Sequence, residues 1–270
     1  MNVDWFITNR CDQASFCLFC YAPWNYFPRD VSLAESLRIA DRLAEIGVEY
    51  VTICGGEPFM YPGLNIVVKK LHELGIKVVL YTSATSKNFS LEEFFPYIEF
   101  LSLPVDAVTP HMVSKMRGVS QFVNVSHVLR DLASAKDRPR VKVGTVVTKQ
   151  NVADIPNVRF FLEETSVVDV WRLYQFSPYG IGKHNQIRML LRDEDFAEAL
   201  KLIAKSKLRV SGRSREDTLG YCMIIDSRGA FYRYDEAYVL TGMTIYDDVK
   251  MIEERYNNHK HLLQKAWLED

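Results

Sequence analysis

Short runs of β-branched and aromatic residues alternate, over the first two thirds of the chain, with longer stretches in which apolar residues recur every three or four positions. The runs are typical of buried strands, and the stretches are typical of amphipathic helices. The predicted strands are Asp4–Thr8, Tyr50–Cys54, Lys77–Tyr81, Phe100–Leu103, Arg140–Val147 and Val170–Phe176. The predicted helices are Leu33–Ile46, Leu64–Leu74, Leu91–Tyr97, Val119–Ala135 and Ala153–Thr165.

This alternation of strand and helix requires crossover connections, which bring the strands into a parallel sheet covered by helices. The predicted fold class is therefore α/β, with either a doubly wound sheet or a partial or complete (β/α) barrel. After Phe176 the pattern changes to a loop with Gly180 and Gly182, a helix over Asp193–Ser206, a hairpin-like stretch over Tyr221–Tyr234 and a polar terminal helix. We therefore divide the chain into a core of residues 1–185 and a small C-terminal α+β extension of residues 186–270.

Composition narrows the function classes. The 270 residues are 48% hydrophobic and 25% charged, with a formal net charge of -1, which is typical of a soluble globular protein and argues against binding to membranes or to long nucleic acids. The sequence contains neither a long uninterrupted apolar run nor the pattern of a secretion signal, so a cytoplasmic location is predicted. Five cysteines, an odd number, do not suggest a disulfide framework.

Three of these cysteines carry the first candidate chemistry. Cys11, Cys17 and Cys20 form the pattern C-x5-C-x2-C directly after the first predicted strand, at the end of the sheet where α/β active sites lie. Three thiolates suit a [4Fe-4S] cluster in which one iron stays open to another ligand. From the cysteines alone, a zinc site completed by a distant histidine and three buried thiols remain open alternatives.

A glycine-rich segment follows the second predicted strand and so reaches the same end of the sheet. Gly55 and Gly56 allow the backbone to approach a ligand closely, and Glu57 and Pro58 come directly after them. Taken alone, this segment could also be an ordinary turn into a helix.

Together these two motifs resemble the radical S-adenosylmethionine (SAM) enzymes, and the likeness extends over most of the first 185 residues. The resemblance implies a partial (β/α)6 barrel in which Cys11, Cys17 and Cys20 ligate a [4Fe-4S] cluster. The open iron of that cluster would bind SAM, and Glu57 would bind the SAM amino group. The residues implied in binding the cofactor are Gly55, Gly56, Glu57, Pro58, Phe19, Asp106, Arg117, Thr145, Gln175 and Phe176.

The chain also departs from the common pattern of this family. The first gap between cysteines is two residues longer than in the usual C-x3-C-x2-C spacing. Thr82-Ser83-Ala84 follows the third strand where the family often has Thr-Asn-Gly, and Pro104 occupies a position that is often serine.

The resemblance further implies that the protein cleaves SAM reductively to a 5'-deoxyadenosyl radical, which abstracts hydrogen from a substrate. The electron would come from a reductase such as flavodoxin or ferredoxin. The extension is expected to cover the barrel mouth. It resembles a degenerate SPASM or twitch tail, as in peptide-modifying maturases, and it is also loosely similar to viperin-like enzymes that act on nucleotides.

We therefore expect a small-molecule substrate, preferably a nucleotide or a sugar, with a peptide as the alternative. A zinc or iron–sulfur binding module without turnover is the alternative outside enzymes. Cys222 is either a buried apolar residue or a donor of hydrogen to a substrate radical. Several positive side chains after the sixth strand could meet a phosphate, or could be solvated surface charges: Lys183, His184, Arg188, Arg213 and Arg215.

Overall fold

A computed structural model describes residues 1–14, 16–22, 30–86, 90–219, 221–234 and 238–267. The strands are β1 (Asn2–Thr8), β2 (Tyr50–Gly55), β3 (Lys77–Tyr81), β4 (Phe100–Pro104), β5 (Arg140–Val147), β6 (Val170–Gln175), β7 (Arg209–Arg213), β8 (Tyr221–Ile225), β9 (Ala230–Tyr234) and β10 (Tyr238–Thr244). The helices are α1 (Leu33–Glu45), α2 (Leu64–Glu73), α3 (Pro110–Met116), α4 (Val119–Ser134), α5 (Ile155–Thr165), α6 (Gly180–His184), α7 (Gln186–Met189), α8 (Asp193–Ile203) and α9 (Val249–Trp267).

Within these ranges the strands form one sheet of ten strands in the order β10-β9-β8-β1-β2-β3-β4-β5-β6-β7. Strands β1 to β7 pair in parallel with their neighbours in chain order. Parallel neighbouring strands joined by helices form a (β/α) barrel, so the C-terminal ends of these strands all lie at one mouth of the barrel. The predicted partial (β/α)6 barrel is confirmed.

The local sequence explains these elements. Strands β2 and β4 are almost fully buried, as expected for parallel strands covered on both faces. Helix α1 begins after Ser32, whose hydroxyl accepts a hydrogen bond from the backbone N–H of Glu35 at 3.2 Å, and it is followed by Gly47 at a φ of +75°. Its buried side chains, including Ile39 and Leu43, pack in the main core.

The extension continues the sheet at both edges of the core. Strand β7 pairs in parallel with β6, and β8 pairs in parallel with β1. Strands β8 and β9 form the predicted hairpin, and β10 adds to it in antiparallel orientation. The boundary at residue 185 stays a prediction.

Several elements differ from the sequence prediction. Strand β7 was not predicted, because Arg-Val-Ser-Gly-Arg at a sheet edge lacks an apolar run. Helix α3 was also missed, since its seven residues are too few to show a helical period. Residues 180–184 form a short helix and not a loop. The predicted helix Leu91–Tyr97 is a 3-10 helix over Glu92–Tyr97, where Pro96 cannot donate a backbone hydrogen bond.

None of the helices in the described parts of the chain is both long enough and apolar enough to cross a lipid bilayer.

Candidate active site

A cavity of about 320 Å³ opens among the strands and the loops that follow them. One side is formed by the cysteine wall, which we define as Cys11, Cys17, Cys20 and the segment Gly55–Glu57. Another side is formed by side chains of β5, β6 and β7. The two motifs that the sequence placed at one end of the sheet therefore meet at one cavity.

The loop that carries the cysteines is held by its own backbone. The carbonyl of Gln13 accepts hydrogen bonds from the N–H groups of Phe16 and Cys17 at 2.9 and 3.0 Å, and the N–H of Cys20 donates to the carbonyl of Cys17 at 3.0 Å. The sulfur of Cys11 accepts from the N–H of Gln13 at 3.4 Å. These turns direct all three cysteines to the cavity.

The two glycines after β2 hold the start of this loop. The N–H of Gly56 donates to the carbonyl of Thr8 at 2.7 Å, and the N–H of Glu57 donates to that of Arg10 at 2.8 Å. A Cβ at Gly56 would lie 1.9 Å from the Arg10 oxygen, and one at Gly55, whose φ is +123°, would lie 2.4 Å from the Thr8 oxygen. Glycine is required here because the two loops are in backbone contact.

The segment after β6 fixes the other end of the loop. The N–H of Gly182 donates to the carbonyl of Cys20 at 3.0 Å, and the Asn185 side chain donates to the carbonyl of Leu18 at 3.0 Å. A Cβ at Gly180 would lie 2.4 Å from the Ala22 oxygen. The cysteine loop is thus fastened to β2 on one side and to α6 on the other.

The four cysteines whose side chains are described, those at 11, 17, 20 and 54, form no disulfide bond. Burial raises the pKa of Cys11 to about 12 and also raises that of Cys17. Arg117 opposes the shift at Cys17, because its Nη1 donates to the Cys17 sulfur at 3.3 Å. A cation beside a sulfur stabilises its thiolate form, which is the form that binds iron.

The donor set fits a [4Fe-4S] cluster. Three free cysteines line one cavity, and cysteine thiolates are the ligands that such clusters use. Among the described residues, no three His, Cys, Asp or Glu side chains are close enough together to hold a single metal ion.

Glu57 joins the loops after β2 and β3. Its carboxylate accepts hydrogen bonds from the Thr82 hydroxyl at 2.7 Å, from the Ser83 N–H at 2.7 Å and hydroxyl at 2.6 Å, and from the Phe59 N–H at 3.2 Å. Its side chain is 1% exposed, and burial raises its pKa although these bonds act in the opposite direction. Glu57 therefore fixes the shape of this part of the cavity lining.

Arg117 connects the cavity to the strand behind it. Its Nε forms a short ion pair with buried Asp106, and its guanidinium lies 4.9 Å from the centre of the Phe19 ring. Asp106 in turn accepts from the N–H of Val146 at 2.7 Å. Burial opposes the charged form of Arg117, but Asp106 and Cys17 outweigh it and raise the pKa of Arg117. Asp106 thus positions Arg117 beside Cys17.

Of the residues predicted to bind the cofactor, Phe19, Gly55, Gly56, Glu57, Arg117 and Gln175 line the cavity. The Gln175 amide donates to Asp193 at 2.7 Å and accepts from the N–H of Arg215 at 3.1 Å. The other four predicted residues, Pro58, Asp106, Thr145 and Phe176, are not among the lining residues.

These four residues are packed behind the residues that line the cavity. The Thr145 hydroxyl donates to the carbonyl of Val105 at 2.5 Å and accepts from the Trp171 indole at 2.9 Å, and Phe176 packs in a small apolar cluster with Phe19. Pro58 is the first residue of a buried 3-10 helix. The side chain of Cys222 lies outside the described part of the structure.

Sequence reasoning missed most of the polar side of the cavity. Lys142 on β5, Arg172 on β6 and Arg213 on β7 line it and are each less than a tenth exposed; we name these three the cation wall. Of the positive residues noted after the sixth strand, only Arg213 is among the lining residues, and Arg215 pairs with Asp193. Lysine and arginine side chains are rarely this buried, so the burial of these three is a signal that only the fold reveals.

Tyrosines connect the cation wall to the strands beside it. The Lys142 amine donates to the Tyr81 hydroxyl at 2.8 Å, and the hydroxyls of Tyr81 and Tyr174 are 3.4 Å apart. Burial lowers the pKa of Lys142. Burial would raise the pKa of Tyr174, but Lys142 and Arg172 outweigh it and lower that pKa to about 7.

A family model and several known proteins match most of this chain. The model of the radical SAM superfamily matches residues 5–162, more than half of the chain. An S-adenosylmethionine-dependent nucleotide dehydratase of Flammeovirga pacifica is 25% identical over 246 residues, which cover 86% of this chain and 81% of the relative. A second protein of that name, from Selenomonas ruminantium, is 21% identical over 95% of this chain and 94% of its own length.

A probable GTP 3',8-cyclase of Sulfurisphaera tokodaii is 25% identical over 66% of this chain and 56% of its own length.

Solved structures share the fold. Streptococcus suis SuiB bound to precursor peptide SuiA has a TM-score of 0.71 at 17% identity, over 85% of this chain and 58% of that one. The structure of anSMEcpe with bound AdoMet has a TM-score of 0.66 at 14% identity, over 99% of this chain and 84% of that one. This chain spans less than two thirds of SuiB, and at such identities the likeness shows the fold alone.

Proposed function

The chain belongs to the radical SAM superfamily, whose enzymes use a [4Fe-4S] cluster and SAM, and we propose that it applies this chemistry to a nucleotide or a nucleotide-like small molecule. The observation that carries the proposal is that the cysteine loop and Gly55–Glu57 open on the same cavity as a set of buried cations. Relatives named as a nucleotide dehydratase and a GTP cyclase support the substrate class.

In this proposal Cys11, Cys17 and Cys20 hold the cluster. When bound, the reduced cluster and SAM supply a 5'-deoxyadenosyl radical, which abstracts a hydrogen atom from the substrate. Arg117 stabilises the thiolate of Cys17, and Asp106 keeps Arg117 in place. The wall that Glu57 fixes would position SAM, because proximity and orientation decide which hydrogen is removed.

The electron would come from a reductase such as flavodoxin or ferredoxin, and we place the reaction in the cytoplasm. Free cysteines at the proposed ligand positions support a reducing compartment.

The experiment is anaerobic reconstitution with iron and sulfide, reduction with dithionite, and electron paramagnetic resonance with and without SAM. A [4Fe-4S] signal that changes when SAM is added is the expected result. An unchanged signal would contradict SAM binding at the cluster, and protein that binds zinc but no iron would favour the non-catalytic module.

The substrate class is tested on the same preparation. Ribonucleotides, sugar phosphates and peptides are compared by the rate at which each accelerates formation of 5'-deoxyadenosine, measured by mass spectrometry. Acceleration by ribonucleotides is expected. Acceleration by peptides alone would favour a maturase and contradict the proposed substrate.

A further inference from the structure

Arg213 is a buried cation, and two of its donors lack an acceptor in the described part of the chain. It is the last residue of β7, it lines the cavity and it is 8% exposed. Its Nε and Nη2 atoms are fully buried and have no hydrogen-bond partner among the residues that the structure describes. Unpaired donors of a buried charged group are costly, so such a group marks a place for an anion.

The neighbouring strands add charge to the same place. Arg213 is in register with Tyr174 of β6, and Arg172, two residues before Tyr174, donates from Nε to the Ser211 hydroxyl at 2.9 Å. Burial is the main cause that lowers the pKa of Lys142 on β5, and the nearby positive charge of Arg172 acts in the same direction. Three adjacent strands therefore each present one cation to the cavity.

Carboxylates do not balance these charges. The acidic residues that line the cavity in the described part of the chain are Asp4 and Glu57. Glu57 accepts its hydrogen bonds from the neutral donors of Thr82, Ser83 and Phe59, so together with Asp4 it supplies two carboxylates against the three cations. The excess positive charge matches a negatively charged ligand.

We propose that the cation wall, Lys142, Arg172 and Arg213, is an anion subsite that binds the phosphate groups of the substrate. The identity of the substrate as a nucleotide rests on the proposed function, whereas the anion subsite rests on the buried cations alone. The planar guanidinium groups of Arg172 and Arg213 can each donate two parallel hydrogen bonds to phosphate oxygens, and Lys142 adds a point charge. Arg213 is the binding residue whose two unpaired donors require the anion.

The binding test uses inorganic tripolyphosphate and isothermal titration calorimetry on the reconstituted holoenzyme. SAM is present at saturation, so that its carboxylate cannot be the anion that occupies the subsite. Tripolyphosphate should bind the wild-type protein, and Arg213→Gln should weaken it by about 10- to 100-fold, as expected for loss of charged hydrogen bonds. Arg213→Lys should recover part of that loss, because lysine restores the positive charge but cannot donate the two parallel hydrogen bonds of a guanidinium.

The matched control is Arg209→Gln, at the exposed opposite end of the same strand. It removes the same charge from β7 but leaves the cavity lining intact, so its tripolyphosphate affinity should equal that of the wild type. Equal affinity in Arg213→Gln and wild type, or no binding to the wild type, would overturn the proposal.

Thermal unfolding separates binding from a structural role. Because two donors of Arg213 have no partner among the described residues, Arg213→Met should melt no lower than wild type without ligand, and it should lose the rise in melting temperature that tripolyphosphate gives. A large fall in melting temperature without ligand would show that Arg213 is structural.

Failure of the subsite and failure of the proposed function give different results. Arg213-dependent binding of tripolyphosphate, without acceleration of 5'-deoxyadenosine formation by any nucleotide, would keep the subsite and remove the nucleotide substrate. Acceleration by nucleotides with the same KM in wild type and Arg213→Gln would keep the function and overturn the subsite.

Discussion

The cysteine wall and the cation wall face one cavity, but the chain builds them in different ways. The cysteine wall consists of two short contiguous segments in the loops that follow β1 and β2. The cation wall consists of single residues on β5, β6 and β7, which are far apart in sequence. The first wall is backbone packed against backbone, with glycines where the loops touch, and the second depends on strand register. We infer that the first serves the cofactors and the second selects the substrate.

The largest expected effect is at the cysteine wall. Cys17→Ala removes a ligand that the cluster needs, so the reconstituted protein should lose its bound iron and form no 5'-deoxyadenosine above background. Iron analysis and mass spectrometry measure both. Cys54→Ala is the control, because it removes a buried free thiol of β2 outside the cysteine loop. Cluster and SAM cleavage retained in Cys17→Ala would remove the ligand assignment.

A smaller but still large effect is expected from the contact between the two loops. In Gly56→Ala the new methyl group would lie 1.9 Å from the Arg10 oxygen, so the cysteine loop must move. We expect a loss of about 1–3 kcal/mol in the free energy of unfolding, together with reduced iron content.

The control for that variant is Gly47→Ala, where a Cβ meets nothing within 4 Å although φ is +75°. Backbone strain alone should cost it about 1–2 kcal/mol and leave the iron content unchanged. Equal iron content in both variants, measured after reconstitution, would show that the loop contact does not matter for the cluster.

At Glu57 the effect should fall on SAM rather than on iron. Glu57→Ala leaves the donors of Thr82 and Ser83 without their acceptor, so the loops after β2 and β3 lose their connection. SAM affinity, measured calorimetrically on the reconstituted protein, should fall by about tenfold or more while the cluster remains visible. Exposed Glu92→Ala is the control. Unchanged SAM affinity in Glu57→Ala would contradict the role of Glu57.

The smallest effect concerns the charge of the cation wall. The pKa of Tyr174 is about 7, so its phenolate forms as the pH rises through that value and neutralises part of the positive charge. Tripolyphosphate affinity should therefore fall by less than about tenfold between one pH unit below 7 and one unit above it. The charged and titratable groups around Tyr174 on the cavity lining are Asp4, Tyr81, Lys142, Arg172 and Arg213.

Tyr174→Phe isolates this effect, because it removes the phenol and keeps the other groups. Any loss of affinity from deprotonation of Lys142, whose pKa is lowered by burial, remains in this variant. The fall across pH 7 should be smaller in Tyr174→Phe than in wild type. An identical pH profile would show that Tyr174 does not titrate there.

The difference between the walls also explains what could be predicted from sequence. The core strands and most helices follow from hydrophobic periodicity, and the cysteine wall follows from the spacing of Cys11, Cys17, Cys20 and Gly55–Glu57. Motif and site coincide there because neighbours in sequence are neighbours in space. The glycines were expected to allow close approach of a ligand, and in the structure they allow close approach of the cysteine loop.

The cation wall could not be predicted in this way. A lysine or arginine in a strand normally reaches solvent, and the sequence does not show that Lys142 and Arg172 point inward. Arg213 lies on β7, which itself was missed because its sequence is polar and short. Such a site becomes visible only when three strands are in register.

The most direct test of the account compares a ribonucleoside triphosphate with its own nucleoside. Both are added at equal concentration to reconstituted, dithionite-reduced protein with SAM, and the initial rate of 5'-deoxyadenosine formation is measured for each of the four bases. The account predicts that at least one triphosphate accelerates the rate well beyond its nucleoside, because only the triphosphate carries phosphate groups that the cation wall can bind. Equal rates for every triphosphate and its nucleoside would contradict the account.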